Sequence, residues 1–380
     1  MIHLAVPNLD GNERAYLNKC IDTTFVSSVG EFVNNIENMS AEACGAKYGV
    51  ATSCGTTALH LSLIACGVKY GDIVIIPSFT FIATANAVAH CGATPWLMDI
   101  NKDSWTMDVE LLKNEIEENT EFNNGILIHK ESGKRVAAIM PVYTLGNVAD
   151  MDMINEIAGK YNLPVIADAA CAIGAEYKDK KIGELATLTT LSFNGNKTVT
   201  AGGGGAVVGN DEEVMKLIKH ISTTARVNVE YDFDMVGYNY RMTNIQAAVG
   251  CAQLERLEKF IERKRYVRQF YFNELNCIDG IDFFPEPSYQ KSTCWFSGIV
   301  LESGGLEDVR KICSELKNKD IEARSFWKPI HLQEPYRHAI KASSLQISDG
   351  LWDRIVTLPC STNITDEELN TVTSALKEIL

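Results

Sequence analysis

The chain has 380 residues, 46% hydrophobic and 22% charged, enough for one large domain and a smaller one with ample core. Its 35 basic residues against 49 acidic ones leave a formal charge of −14, which argues against general nucleic-acid binding, although a local basic pocket can still hold an anionic substrate. The eleven cysteines include no Cys-x-x-Cys pair and fit free thiols in a reducing compartment. There is no basic, apolar leader and no run long enough to span a bilayer, so the expected location is the cytoplasm.

Residues Gly11–Thr24 and Glu31–Lys47 read as helices, joined by the extended, glycine-ended FVSSVG. A short strand, Gly49–Thr52, leads to Gly55-Thr56-Thr57, which opens the apolar helix ALHLSLIACG. Strand, small-residue turn and helix start together make the geometry in which free N–H groups and the helix dipole bind an anion. The two threonines either add hydroxyl donors or simply cap the helix, and His60 reads as a packed core histidine. Strand and helix then alternate: Asp72–Ile76, Phe81–Cys91, Thr94–Met98, Val109–Glu118, a polar surface excursion over Asn119–Arg135 with Ile126–His129 as a hairpin strand, Val136–Pro141, Met151–Tyr161 and Pro164–Ala167. Such alternation predicts an open, mostly parallel sheet with helices on both faces, whose ligands collect at the carboxyl ends of the strands.

Asp168 follows the apolar strand Pro164–Ala167 directly, so it is partly desolvated and wants a cationic partner. The β-prone run Thr187–Phe193 delivers the chain to the turn Asn194-Gly195-Asn196 and a single lysine, Lys197, followed closely by Gly202–Gly205. An amine presented at a strand end can act as a Schiff-base nucleophile. Beyond Gly209 come a helix over Asp211–Ser222, a polar and aromatic segment ending in GYNYRM, and one long helix from Thr243 to about Asn276. The rest, with an antiparallel strand over Cys294–Leu301 and amphipathic helices over Leu306–Asn318 and Asp366–Leu380, reads as a smaller α+β domain completed by the N-terminal helices. The expected division is 1–245 and 246–380.

A lysine, an aspartate and a Gly-Thr anion cradle on one strand edge are what pyridoxal phosphate needs: an amine for the imine, a carboxylate to keep the ring nitrogen protonated, and an anchor for the phosphate. Thr56 would hold that phosphate and Ser192 would reach it from the other side. FVSSVGEFV, SCGTTALHLSL, PSFTFIATANA, DAA, SFNGNKTVTAGGGGA, GYNYRMTNIQAA and WKPIHLQEPY, in this order, closely resemble the motifs of the DegT/DnrJ-type sugar aminotransferases, which are fold-type-I pyridoxal-phosphate enzymes.

The resemblance implies a role for each matching residue. Lys197 would be the Schiff-base lysine and proton carrier, and Asp168 the partner of the ring nitrogen. Phe81 would stack on the cofactor, and Gly55, Thr56 and Ser192 would hold its phosphate. Asn239 would reach the phosphate in a neighbouring subunit, making the enzyme a homodimer with shared sites. Lys328 and His331 would lie on the side of a nucleotide-sugar diphosphate. It implies no metal, no nucleic acid and no membrane. Two positions depart from the family: Cys171 stands where Gln or His contacts the ring hydroxyl, and Tyr143 where His is expected.

The implied activity moves an amino group from L-glutamate to the keto carbon, C4, of a nucleotide-linked 4-keto-6-deoxy sugar for surface glycans. FNGNK and the polar excursion are most similar to members acting on UDP-linked, N-acetylated sugars. Rival readings are amination at C3, a sugar dehydratase of the same fold, and a non-catalytic regulator. Dehydratases replace the lysine by histidine, whereas Lys197 is present. A dinucleotide loop at Gly202–Gly205 fails on context, because those glycines precede a strand and open no helix.

Overall fold

The computed structural model describes the whole chain, Met1–Leu380. Two four-stranded sheets meet through parallel pairing of Ile139 with Val165 and Val142 with Asp168. The resulting layer runs Tyr48–Thr52, Gly205–Gly209, Leu188–Ser192, Ile166–Asp168, Val136–Ile139, Ile73–Pro77, Thr94–Met98 and Ile340–Lys341. All pairings are parallel except those of Gly205–Gly209, which is antiparallel to both neighbours. Val136–Ile139 and Ile73–Pro77 are apolar throughout because both faces are covered. Ile73, Ile75, Trp96 and Met98 enter one core cluster, while Val74, Ile76 and Leu97 enter another on the opposite face.

The helices follow from the apolar spacing and the caps. Glu212–Ser222 buries Met215, Ile218 and Ile221, three residues apart, and the Asp211 carboxylate accepts from the Glu213 and Val214 N–H groups at its start. The polar excursion is a hairpin, Thr120–Asn123 with Ile126–His129. Its turn residues Asn124 and Gly125 both have positive φ, 51° and 80°, as a tight two-residue turn requires.

A second, antiparallel sheet runs Ile281–Phe283, Ser297–Leu301, Ile355–Leu358, Arg324–Ser325. Its core includes Val309, Ile312 and Leu316 of the helix Leu306–Asn318 and Leu369, Val372 and Leu376 of the helix Asp366–Ile379. It is the first residues of the chain that reach it: Ile2 pairs with Ile321, and the Cys360 N–H donates to the Leu4 carbonyl. The N-terminal helices, Glu13–Asp22 and Glu31–Cys44, pack instead on Asn244–Leu254, with Cys20, Phe32, Val33 and Ile36 in the larger core.

The single long helix expected from Thr243 is two helices, Asn244–Leu254 and Leu257–Leu275. Side chains of the N-terminal segment hold the break: Asn12 and Tyr16 donate to the Glu255 carboxylate, and Arg256 donates to Asn8. The strand expected from Cys294 begins at Ser297, since Cys294 has φ 50° and turns the chain first. No helix is long and apolar enough to cross a membrane, and all eleven cysteines are free thiols.

Candidate active site

Register brings the chemistry to one edge. Ser192 pairs with Gly205, and Gly205 with Thr52, while Thr190 pairs with Asp168. The carboxyl ends of three strands and the amino end of the fourth therefore stand side by side. At this edge lies a cavity of about 330 Å³ whose wall includes Gly55, Thr56, Phe81, Thr84, Asp168, Cys171, Ser192, Lys197, Trp295 and Trp327.

The anion cradle is the start of the helix Gly55–Ala65. Thr57 is spent on the cap, its hydroxyl donating to the Cys54 carbonyl at 2.8 Å and accepting from the Cys54 N–H at 3.1 Å. Thr56 is the threonine left to face the cavity. The helix start sits close to the strand ends because glycines permit it. A Cβ on Gly55 would lie 2.9 Å from the Ser192 Cβ, and one on Gly205 would lie 2.6 Å from the Leu191 carbonyl oxygen and 2.8 Å from the Gly55 nitrogen.

Asp168 is 5% exposed. Its carboxylate accepts from the Thr84 hydroxyl at 2.7 Å and the Ala170 N–H at 3.2 Å. Burial raises its pKa, while these two donors and the Lys197 charge oppose the rise. Lys197 leaves the turn at Asn194, whose carbonyl accepts the lysine N–H. Its amine donates to the Cys171 sulfur at 3.2 Å and lies 3.9 Å from the centre of the Trp295 ring. Burial pushes the Cys171 thiol up against the pull of the Lys197 charge, and a thiol is in any case a weak partner.

Seven residues expected from the sequence thus share the cavity wall: Gly55, Thr56, Phe81, Asp168, Cys171, Ser192 and Lys197. Three are placed elsewhere. Asn239 is exposed, on the segment whose Tyr240 carbonyl accepts from the Ser53 N–H beside the cradle. Lys328 is exposed next to Trp327 and outside the wall. His331 is buried, with Nδ1 against the Ser78 hydroxyl at 2.6 Å and Nε2 against Asp349 at 2.8 Å, so neither ring nitrogen is free for a substrate. Tyr143 is fully buried away from the wall, and burial raises its phenol pKa. His60 is buried as expected and held neutral, its pKa lowered to about 4 by burial and then by His90. Sequence reasoning missed Thr84, Trp295 and Trp327. Thr84, three residues after Phe81, and Trp327, the first residue of WKPIHLQEPY, each lay inside a motif already singled out, whereas Trp295 lay in none.

The wall fits pyridoxal phosphate by its donors. A buried carboxylate with a raised pKa is stabilised by a ring N–H⁺, a helix start with Thr56 and Ser192 suits a phosphate, and an amine stands between them. The profile of the DegT/DnrJ/EryC1/StrS aminotransferase family matches residues 7–377. A GDP-perosamine synthase of Caulobacter vibrioides is 38% identical over 383 residues, covering 100% of this chain and 98% of that protein. A UDP-4-amino-4,6-dideoxy-N-acetyl-beta-L-altrosamine transaminase of Campylobacter jejuni is 30% identical, with coverage of 100% and 98%. A solved DegT DnrJ EryC1 StrS aminotransferase from Brucella abortus superimposes with a TM-score of 0.88 at 28% identity, over 97% of this chain and 95% of that one. The fold is therefore fold type I. At this identity and coverage the chain belongs to the DegT/DnrJ/EryC1/StrS aminotransferase family and works with pyridoxal phosphate.

Proposed function

We propose that the protein transfers an amino group from L-glutamate to C4 of a nucleotide-linked 4-keto-6-deoxy sugar. The observation that carries this is the sharing of one cavity by the Lys197 amine and the buried Asp168 carboxyl. Pyridoxal phosphate, when bound, supplies the electron sink. Asp168, held by Thr84 and Ala170, keeps the ring nitrogen protonated. Lys197 would be the residue that bonds the cofactor and, once displaced, would serve as base and acid at the donor's α-carbon in one half of the reaction and at the sugar carbon in the other. Thr56, Gly55 and Ser192 hold the phosphate, Phe81 and the two tryptophans line the same wall, and Lys328, exposed beside Trp327 and outside that wall, is offered to the diphosphate.

We further propose a homodimer in which Asn239 completes the partner's phosphate site. Exposed apolar side chains support this: Phe25, Val26 and Val29 in one stretch, and Val227, Val229, Tyr231, Phe233, Met235 and Val236 in another, leading to Asn239. Eleven free thiols favour the cytoplasm as its compartment.

The nucleotide is where the relatives divide. The relative at 38% identity is named for a GDP sugar, which favours GDP. A second reading, a UDP-linked N-acetylated sugar, is supported by the relative at 30%. Incubation with ¹⁵N-glutamate and GDP-, UDP- and dTDP-linked 4-keto-6-deoxy sugars, with products read by mass and NMR, tests the reaction and the choice of nucleotide. The expected product carries ¹⁵N on C4 of the GDP sugar. Label on the UDP sugar selects the second reading, and label on C3 or on no sugar overturns the proposal.

A further inference from the structure

The Lys197 amine meets the C-terminal half of the chain at Trp295, in the short segment Ser292–Phe296 just before the strand Ser297–Leu301. Trp295 is 2% exposed and fixed on several sides. Its indole N–H donates to the Asn196 carbonyl at 2.7 Å, its main-chain N–H donates to the Leu145 carbonyl at 3.0 Å, and its carbonyl accepts from the buried Lys264 amine at 2.9 Å. Phe296 packs on it with ring centroids 4.2 Å apart. An indole held this way cannot turn its face from Lys197, whose amine lies 3.9 Å from the ring centre. The same segment fixes the other contact of that amine, because the Thr293 hydroxyl donates to the Cys171 carbonyl at 2.8 Å. A thiol is a weak acceptor, whereas a π face in a desolvated setting attracts a cation strongly. The face therefore discriminates between the charged and the neutral amine, and the sulfur hardly does.

We propose that Trp295 is a positioning residue whose indole face seats the Lys197 amine in its charged form whenever that amine is not bonded to the cofactor. The proposal rests on the reading of Lys197 as the cofactor-bonding, proton-carrying amine. A lysine in that role is a free amine for part of each cycle and an ammonium for another part. The seat stabilises the ammonium after it has taken a proton. The same seat restrains the free protein, since capture of a carbonyl compound needs the neutral amine to leave the ring.

Two rates therefore move in opposite directions when the face is weakened. Tryptophan carrying one to four ring fluorines, inserted at position 295 by stop-codon suppression, keeps the volume and the N–H while removing charge from the face. Expected are a stepwise fall in kcat to about one tenth for the fully fluorinated ring, a sugar KM unchanged within about twofold, and faster capture of added pyridoxal phosphate by the apoprotein, followed without substrate by its absorbance. A flat series in either rate, or a series in which both fall together, overturns the proposal. Lys197→Ala separates the two readings. If that variant still forms a borohydride-reducible bond to the cofactor, the role of Lys197 fails and this proposal with it. If it does not, a flat fluorine series removes the seat alone.

Discussion

A carboxyl group inside a nearly dry wall is a cost to the protein until something cationic arrives. Asp168 has its pKa raised by burial, so the folded chain holds that proton more tightly than the unfolded chain. Its contribution to stability is therefore greatest in acid and is lost as pH rises from the ordinary carboxyl range through the raised value. At neutral pH the apoprotein carries the penalty, and the ring N–H⁺ of the cofactor offsets it. Asp168→Asn removes the charge and keeps both neighbours satisfied: the amide oxygen accepts from Ala170, and the Thr84 hydroxyl can turn to accept from the amide while donating to Thr80, 3.0 Å away. The variant is expected to lower kcat by about 10²- to 10³-fold while raising the melting temperature of the apoprotein at pH 7.5, and to lose that advantage in acid. Calorimetry of cofactor-free protein checks it, and a lower melting temperature at neutral pH would falsify this account of the burial. The sequence made Asp168 legible because four apolar residues precede it. Thr84 was harder to read: it shares a motif with Phe81, but a threonine in an Ala-rich helix does not name the carboxylate it serves until the strand is paired beside it.

Among the elements, the alternation of strand and helix and most of their spans were readable from apolar runs and caps, and Leu306–Asn318 falls where its spacing put it. What local sequence could not carry was long-range restraint. LERLE contains neither Gly nor Pro, yet the helix breaks there because Asn8, Asn12 and Tyr16, more than two hundred residues earlier, hold Glu255 and Arg256. The four glycines after Lys197 are a similar case. Their lack of bulk was evident, but which of them needs it depends on the approach of the helix start. A Cβ on Gly205 meets backbone atoms of Leu191, Cys54 and Gly55 within 2.6–2.8 Å, whereas one on Gly202, or on Gly195 in the turn before Lys197, meets nothing within 4 Å. Backbone cannot swing aside as a long side chain can, so Gly205→Ala must push the cradle from the strand ends. It is expected to cost about 1–3 kcal/mol and to weaken retention of pyridoxal phosphate, while Gly195→Ala stays within about 0.5 kcal/mol of the parent. Urea unfolding and dialysis against buffer measure the two effects, and equal stabilities for the two variants would refute the close-packing argument.

At the scale of the whole molecule, the wall is assembled from both halves of the chain, with Trp295 and Trp327 arriving from beyond residue 290. Neither was legible as a neighbour of Lys197: Trp295 lies in no motif, and Trp327 opens WKPIHLQEPY without anything there to name the lysine. Asn239 poses the complementary problem, being exposed and outside the wall of its own chain while its segment is tied to the cradle through Ser53. The proposed sharing across a two-fold axis would resolve it, and it makes a countable prediction. In a hybrid of a Lys197→Ala subunit with an Asn239→Asp subunit, one site receives both lesions and the other receives neither. Asp is the sharper substitution, because its carboxylate repels the phosphate that the amide would hold. Each variant alone is then nearly inactive, and random mixing, which makes half the dimers hybrid, restores about a quarter of the parent activity. If Asn239 instead served its own chain, every site in the hybrid would carry one lesion and mixing would restore nothing. Refolding the two variants together, and confirming dimers by sedimentation, therefore decides between a site closed by a second copy and one complete within a single chain.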